Sequence, residues 1–185
     1  MWTRDAGVGA FVLRQFSTRI TFVGSFLGIE AMAMKNEPLV LIAGAGIGGL
    51  TTALSLIRRG FTVEVYEQAS EIREVGAGVL ISPNGMRVLT ELGVADRVLA
   101  LAARPVRREV RLWNTGQAWP TFELNTVASS RYGHPFAWLY RPDLLDVLAQ
   151  AVTEMAPDAI RLGRKVSGCS QTDQGTTLHF ATGAA

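Results

Sequence analysis

The thirty residues from Leu39 to Gln68, LVLIAGAGIGGLTTALSLIRRGFTVEVYEQ, constrain this chain more than any other stretch. Leu39 to Ala43 is a continuous apolar run ended by glycine, the pattern of a strand buried on both faces. Ile47, Leu50, Leu54 and Ile57 then recur at helical spacing, with Arg58 and Arg59 in the last turn and Gly60 as the stop. Phe61 to Tyr66 reads as a second strand with Val63 and Val65 on one side. Strand, helix and strand in so short a span demand a crossover between parallel strands, right-handed by the chirality of the chain. Gly44, Gly46 and Gly49 occupy the turn between first strand and helix, and Glu67 closes the second strand 21 residues after Gly46. With nineteen glycines in the chain, a bare G-x-G-x-x-G spacing arises by chance. Its place between strand and helix, with the acidic residue behind it, makes it a dinucleotide fingerprint.

Each position has a physical task. Gly44 permits the tight turn out of the strand, Gly46 lets a pyrophosphate approach the backbone, and Gly49 lets the helix pack against the sheet. The free N–H groups and positive dipole end of the helix then face the phosphates. Glu67 is placed to accept hydrogen bonds from both ribose hydroxyls of an adenosine, and its charge disfavours a 2′-phosphate there. These residues leave FAD and NAD equally open.

Composition narrows the class. Of 185 residues, 48% are hydrophobic and 18% charged, which excludes a disordered or collagen-like chain. Eighteen Lys and Arg against 16 Asp and Glu give a net charge of +2, too small for a basic face built for nucleic acid. Cys169 is the sole cysteine and His134 and His179 the only histidines, so neither an intrachain disulfide nor a Cys- or His-based metal centre is expected. No run of 18 apolar residues reads as a membrane span, and a cytoplasmic location is expected. Residues 1–33 stand apart: Arg4, Arg14 and Arg19 precede an apolar run from Ile20 to Ile29 and then Ala31-Met32-Ala33, which imitates a secretory leader. The preferred reading is a leader outside the fold, with Met34 as the initiator and residues 34–185 as the structured part. A targeting peptide and an ordered extension are the alternatives.

Beyond Gln68 the pattern is mixed. Ser82-Pro83 reads as an N-cap and first helical residue, with Met86, Leu89 and Leu92 on one face and Gly93 as the stop. Arg108 to Trp113 alternates, turns at Asn114-Thr115-Gly116 and pairs with Ala118 to Leu124, where Pro120 marks an edge strand. Pro142 to Met155 is a helix with Leu145, Leu148, Val152 and Met155 facing inward. Lys165 to Gln171 and Thr176 to Ala181 form a last hairpin around Asp173-Gln174-Gly175. The expected class is α/β: a Rossmann-like βαβ core with an inserted antiparallel β-ribbon.

The fingerprint, followed by EIREVGAGVLISPNGMRVLTELGV from Glu71 to Val94 and by YRPDLLDVL from Tyr140 to Leu148, resembles the FAD-dependent aromatic-ring monooxygenases of the salicylate hydroxylase type. The resemblance runs from about Met34 to the C-terminus. It implies that Gly44, Gly46 and Gly49, with Ile47 and Gly48 between them, hold the FAD pyrophosphate. It also implies that Glu67 and the adjoining Gln68 serve the adenosine ribose, that Ala77 and Gly78 bring backbone close to the cofactor, and that Arg141 contacts FAD from the head of a helix. Arg73 is read as a solvated arginine. The implied reaction is hydroxylation of a small salicylate- or hydroxybenzoate-like substrate, using NADH or NADPH and O2, without a second Rossmann domain.

The chain departs from that family toward its end. No Gly-Asp or Asp-Gly dipeptide occurs in it, although the family uses both after the last hairpin. The adenosine half of the site is therefore encoded and most of the isoalloxazine half is not. The expected product is a truncated piece of a longer hydroxylase, inactive alone and marginally stable because its sheet lacks later strands. No catalytic residue is assigned. His134 sits in a turn-rich loop, His179 on a solvated strand, Cys169 without a base nearby, and Trp113, Trp119 and Trp138 read as core or edge packing. Two other readings stay open: a fragment of an NAD-dependent Rossmann dehydrogenase, and a non-catalytic nucleotide-binding or interaction module.

Overall fold

A computed structural model of the chain describes residues 11–14, 39–72, 76–124, 126–172 and 175–181. The chain divides into two compact units, residues 1–73 with 148–185, and residues 74–147.

The first unit carries a sheet in the order β1(Phe11–Arg14)-β2(Leu39–Ala43)-β3(Thr62–Tyr66)-β8(Ile160–Arg161). Strands β2 and β3 pair in parallel with Val40 opposite Val63 and Ile42 opposite Val65. Strand β8 continues the parallel arrangement beside β3, and β1 closes the other edge antiparallel to β2. Phe11–Arg14 thus lies beside the sheet although it belongs to the stretch read as a leader; the rest of residues 1–33 falls outside the described residues. Helix α1(Ile47–Ile57) connects β2 to β3, completing the βαβ unit. Because side chains alternate along a strand, Val40, Ile42, Val63 and Val65 share one face, and all four are buried. Helix α1 lies on that face with Leu50, Ala53 and Leu54 buried. Arg58 and Arg59 fall just past its end rather than in its last turn.

The opposite face of β2 and β3 is half-buried. Toward it comes the hairpin of β9(Val166–Thr172) and β10(Gly175–Phe180), whose Phe180 ring centroid lies 4.9 Å from that of Tyr66. The Asp173-Gln174 part of its turn lies outside the described residues.

The second unit contains two antiparallel pairs. Strand β4(Gly78–Ile81) pairs with β7(Ala137–Tyr140), and β5(Arg107–Arg111) pairs with β6(Ala118–Glu123) as the expected ribbon. Helix α2(Pro83–Glu91) starts after Ser82, and α3(Ala95–Leu101) and α4(Thr126–Tyr132) follow it. Met86, Leu89, Val98 and Ala128 are buried among these helices. Helix α5(Arg141–Met155) begins in this unit and ends in the first. Leu145, Leu148 and Val152 are buried as their spacing requires, but Met155 is 46% exposed. The helix ends at that residue, so its side chain projects past the last apolar turn. Trp113 is likewise no packing residue: it is 95% exposed at the tip of the ribbon. Among the described residues no helix is long and apolar enough to cross a membrane.

Candidate dinucleotide site

The residues singled out in the sequence fall into two local groups. In the first, β2 delivers the chain into a turn at Gly44, whose φ of +100° is a conformation that side chains oppose. Its N–H donates to the carbonyl of Tyr66 at 2.8 Å, which ties the turn to the end of β3. Gly46 is the N-cap of α1, in extended conformation, with no side-chain cap and no acidic residue in the first turn. A Cβ added at Gly46 meets nothing within 4 Å, so the space above the elbow is open. At Gly49 the opposite holds: a Cβ would stand 1.9 Å from the carbonyl oxygen of Gly44 and 3.5 Å from a methyl of Ile42. The helix can approach β2 only because this position lacks a side chain.

The N–H groups of the first helical turn, at Ile47, Gly48 and Gly49, have no partner four residues back. With no capping side chain they form a cradle suited to an anion. Glu67 follows β3 directly rather than closing it, since the strand ends at Tyr66. Its Oε2 accepts the Ala45 N–H at 2.8 Å and its Oε1 accepts the Ala69 N–H at 2.9 Å. A carboxylate has about four lone-pair sites, so two remain for other donors. Gln68 is exposed beside it. The backbone of this turn is held from below as well, by Glu67 N–H on the Arg161 carbonyl at 2.9 Å and Arg164 N–H on the Glu67 carbonyl at 2.7 Å.

Behind the elbow stands an arrangement that the sequence pattern does not announce. The Tyr66 hydroxyl donates to Glu64, and the Arg161 guanidinium lies 3.9 Å from the same carboxylate. Burial, the hydrogen bond to Glu64 and its negative charge together push the Tyr66 hydroxyl up to about 12. Alternation along β3 places Glu64 and Tyr66 on one face, but which charge meets them from β8 is a tertiary fact.

The second group lies in residues 74–147. The Arg141 N–H donates to the Ala77 carbonyl at 3.2 Å, so the Gly76-Ala77-Gly78 segment runs against the head of α5. A Cβ at Gly76 would meet Pro142 Cδ at 2.7 Å and Arg141 Cβ at 3.2 Å. A Cβ at Gly78 would meet the Trp138 indole nitrogen at 2.4 Å. These glycines admit neighbouring side chains of the protein itself, and Gly78 already belongs to β4 rather than to a plain turn. Arg141 is the first residue of α5, one earlier than periodicity alone places the start. Arg73 lies outside the described residues.

The other candidates stay apart from both groups. His134 borders a small cavity with Met86 and Asp96, His179 is exposed with its Nε2 2.9 Å from Ser170 Oγ, and Cys169 is an exposed free thiol.

Known proteins resemble this chain over most of its length. A family model described as an FAD binding domain matches residues 37–184. A 3-amino-4-hydroxybenzoate 2-monooxygenase of Streptomyces platensis is 36% identical over 149 residues, covering 80% of this chain and 37% of that protein. A 6-hydroxynicotinate 3-monooxygenase of Pseudomonas fluorescens is 30% identical over 151 residues, covering 81% and 38%. Among solved structures, Klebsiella pneumoniae HpxO complexed with FAD and uric acid superposes with a TM-score of 0.63 at 26% identity, over 78% of this chain and 35% of that one. A 2-methyl-3-hydroxypyridine-5-carboxylic acid oxygenase gives 0.60 at 27% identity, over 78% and 35%. The chain thus spans little more than a third of the relatives it matches. An open glycine elbow on an uncapped helix and an acidic residue behind it agree with the match over residues 37–184: this chain belongs to the FAD binding domain family.

Proposed function

We propose that this chain holds the adenosine diphosphate half of FAD in a monooxygenase that hydroxylates a small aromatic acid, with NADH or NADPH as electron donor and O2 as co-substrate. The observation that carries the reading is the elbow itself, open above Gly46 and closed tight at Gly49. The backbone N–H groups at Ile47, Gly48 and Gly49 hold the pyrophosphate, with Gly44 and Gly46 setting the turn. The lone pairs that Glu67 retains accept the ribose hydroxyls, and Gln68 borders the same sugar. Ala77 and Gly78 bring backbone toward the cofactor, and the Arg141 guanidinium supplies a positive charge suited to its phosphates. FAD, when bound, supplies the redox chemistry, while the protein supplies position, charge and exclusion of water. The substrate class is supported by the relatives that act on hydroxybenzoates and hydroxynicotinate.

The test is titration of FAD with the protein, followed by flavin fluorescence. Saturable quenching that Gly46→Val abolishes, with the circular dichroism of the variant unchanged, is the expected result. Absence of quenching, or equal quenching by the variant, overturns the assignment. Oxidation of NADH that depends on an added aromatic acid would mark an enzyme rather than a nucleotide-binding module, whereas its absence is also what a chain inactive alone would give.

A further inference from the structure

We propose that a cleft in the second unit, between the β4–β7 pair and the β5–β6 ribbon, binds an aromatic carboxylate, with Arg108 on the carboxyl group and Trp138 and Leu80 against the ring. The inference rests on the monooxygenase reading for its ligand class, and on the following observations for its place.

The cleft has a volume of about 910 Å³, the upper range for a small-molecule site. Leu80 and Trp138 stand opposite one another across β4 and β7 and remain 44% and 52% exposed. Val110 adds apolar surface from the ribbon. An aromatic face and aliphatic neighbours left half-wet in one concavity present a surface for a flat, apolar ring.

The charge on this wall is unusual in its arrangement. Successive residues of a regular strand point to opposite faces, so Arg107 and Arg108 should not both border one cleft. They do, and the ribbon register breaks directly after them: Arg108 pairs with Phe122, but Glu109 pairs with Pro120, leaving Thr121 as the extra residue of a bulge. Pro120 has no N–H to give the ladder, and the Thr121 hydroxyl instead donates to the Arg108 carbonyl at 3.0 Å. Arg107 and Arg111 share Glu109, at 3.4 Å and 2.5 Å. The Arg108 guanidinium has no partner among the described residues, and no acidic residue lines the cleft. An unneutralised planar cation beside an apolar aromatic wall fits a ring bearing a carboxylate, which it can hold through two parallel N–H bonds. A second copy of the chain is a poor occupant, since Arg107 and Arg108 of each copy would face each other.

The experiment follows the Trp138 indole N–H by NMR, assigned through Trp138→Phe, during titration with 3-hydroxybenzoate and with uncharged 3-hydroxybenzamide. The expected result is a saturable shift with the benzoate, about tenfold weaker with the benzamide and about tenfold weaker for the benzoate in Arg108→Ala. Arg108→Lys, which keeps the charge and loses the fork, should fall between, and guards against a misfolded alanine variant. FAD quenching should be unchanged in both variants. Equal affinity for the two ligands, indifference to Arg108, or a Trp138 signal that moves only with protein concentration overturns the proposal. Loss of the monooxygenase reading would register separately, as failure to bind FAD while the cleft still takes the benzoate.

Discussion

Glu67 reaches back across 22 residues to accept the Ala45 N–H at 2.8 Å, so the acidic residue behind β3 and the glycine elbow after β2 are one hydrogen-bonded structure. Its other oxygen holds Ala69. A residue whose sequence position suggests a ligand contact therefore also fixes the shape of the elbow that ligand must enter. Ala45 is buried, so its N–H has no ready substitute in water.

Glu67→Ala should therefore destabilise the protein even without FAD. Loss of two charge-assisted acceptors, one of them partly exposed, is expected to cost roughly 1–2 kcal/mol. Glu67→Gln keeps one carbonyl acceptor and should cost less. Urea unfolding of the apoprotein measures both; an unchanged midpoint in Glu67→Ala would show that the Ala45 contact contributes nothing.

The two inner glycines separate stability from binding. Gly49→Ala drives a methyl into the Gly44 backbone at 1.9 Å, and backbone cannot rotate away, so a loss of about 1–3 kcal/mol or more is expected. Gly46→Ala meets nothing within 4 Å and should leave the unfolding midpoint nearly unchanged while weakening FAD. Denaturation and flavin titration on the pair would read opposite outcomes.

Helix α5 carries a contrast that periodicity alone does not supply. Leu148 is fully buried, and Leu148→Ala should cost about 2–5 kcal/mol. Met155 occupies the same stripe but is half-exposed at the helix end, and Met155→Ala should stay within about 0.5 kcal/mol. Equal losses in thermal unfolding would mean that the last turn packs after all.

The βαβ unit was legible because each of its signals is local: an apolar run, helical spacing and a glycine turn sit within thirty residues. The ribbon was legible from alternation and Asn114-Thr115-Gly116 for the same reason. Strands β4, β7 and β8 were not, since they are short and acquire partners far along the chain, as Gly78 does in Tyr140. Helices α3 and α4 are seven residues each, below the length at which periodicity declares itself. At the site, the glycines and Glu67 could be read directly. The Ala45 and Ala69 amides could not, because a backbone N–H leaves no mark in composition, and neither could the register break that follows Arg108 in the ribbon.

Tyr66 gives the protein an alkaline dependence of definite sign. The hydroxyl is ordinarily near 10.0 and rises to about 12 in the folded chain, chiefly through burial and then through Glu64. Between those pH values the unfolded chain releases the proton first, so unfolding is favoured as pH rises and stability should fall across that window. Below pH 10 the contribution is fully present. Tyrosinate absorbance should show one of the three tyrosines titrating late, and Tyr66→Phe should remove both that late step and the associated loss of stability.

Gly78 and Trp138 make the sharpest test of the second unit. A methyl at position 78 would stand 2.4 Å from the indole nitrogen, and the contact lies at the end of a stiff two-angle side chain. Relief requires Trp138 to leave its rotamer, at a cost of about 0.5–1.5 kcal/mol. Gly78→Ala should therefore shift the Trp138 indole resonance and lower the unfolding midpoint slightly, while leaving helix content as it was. In Trp138→Phe the smaller ring gives the methyl room, and adding Gly78→Ala to that background should cost almost nothing further. If the two substitutions are instead additive, the glycine is required for some other reason than the indole beside it.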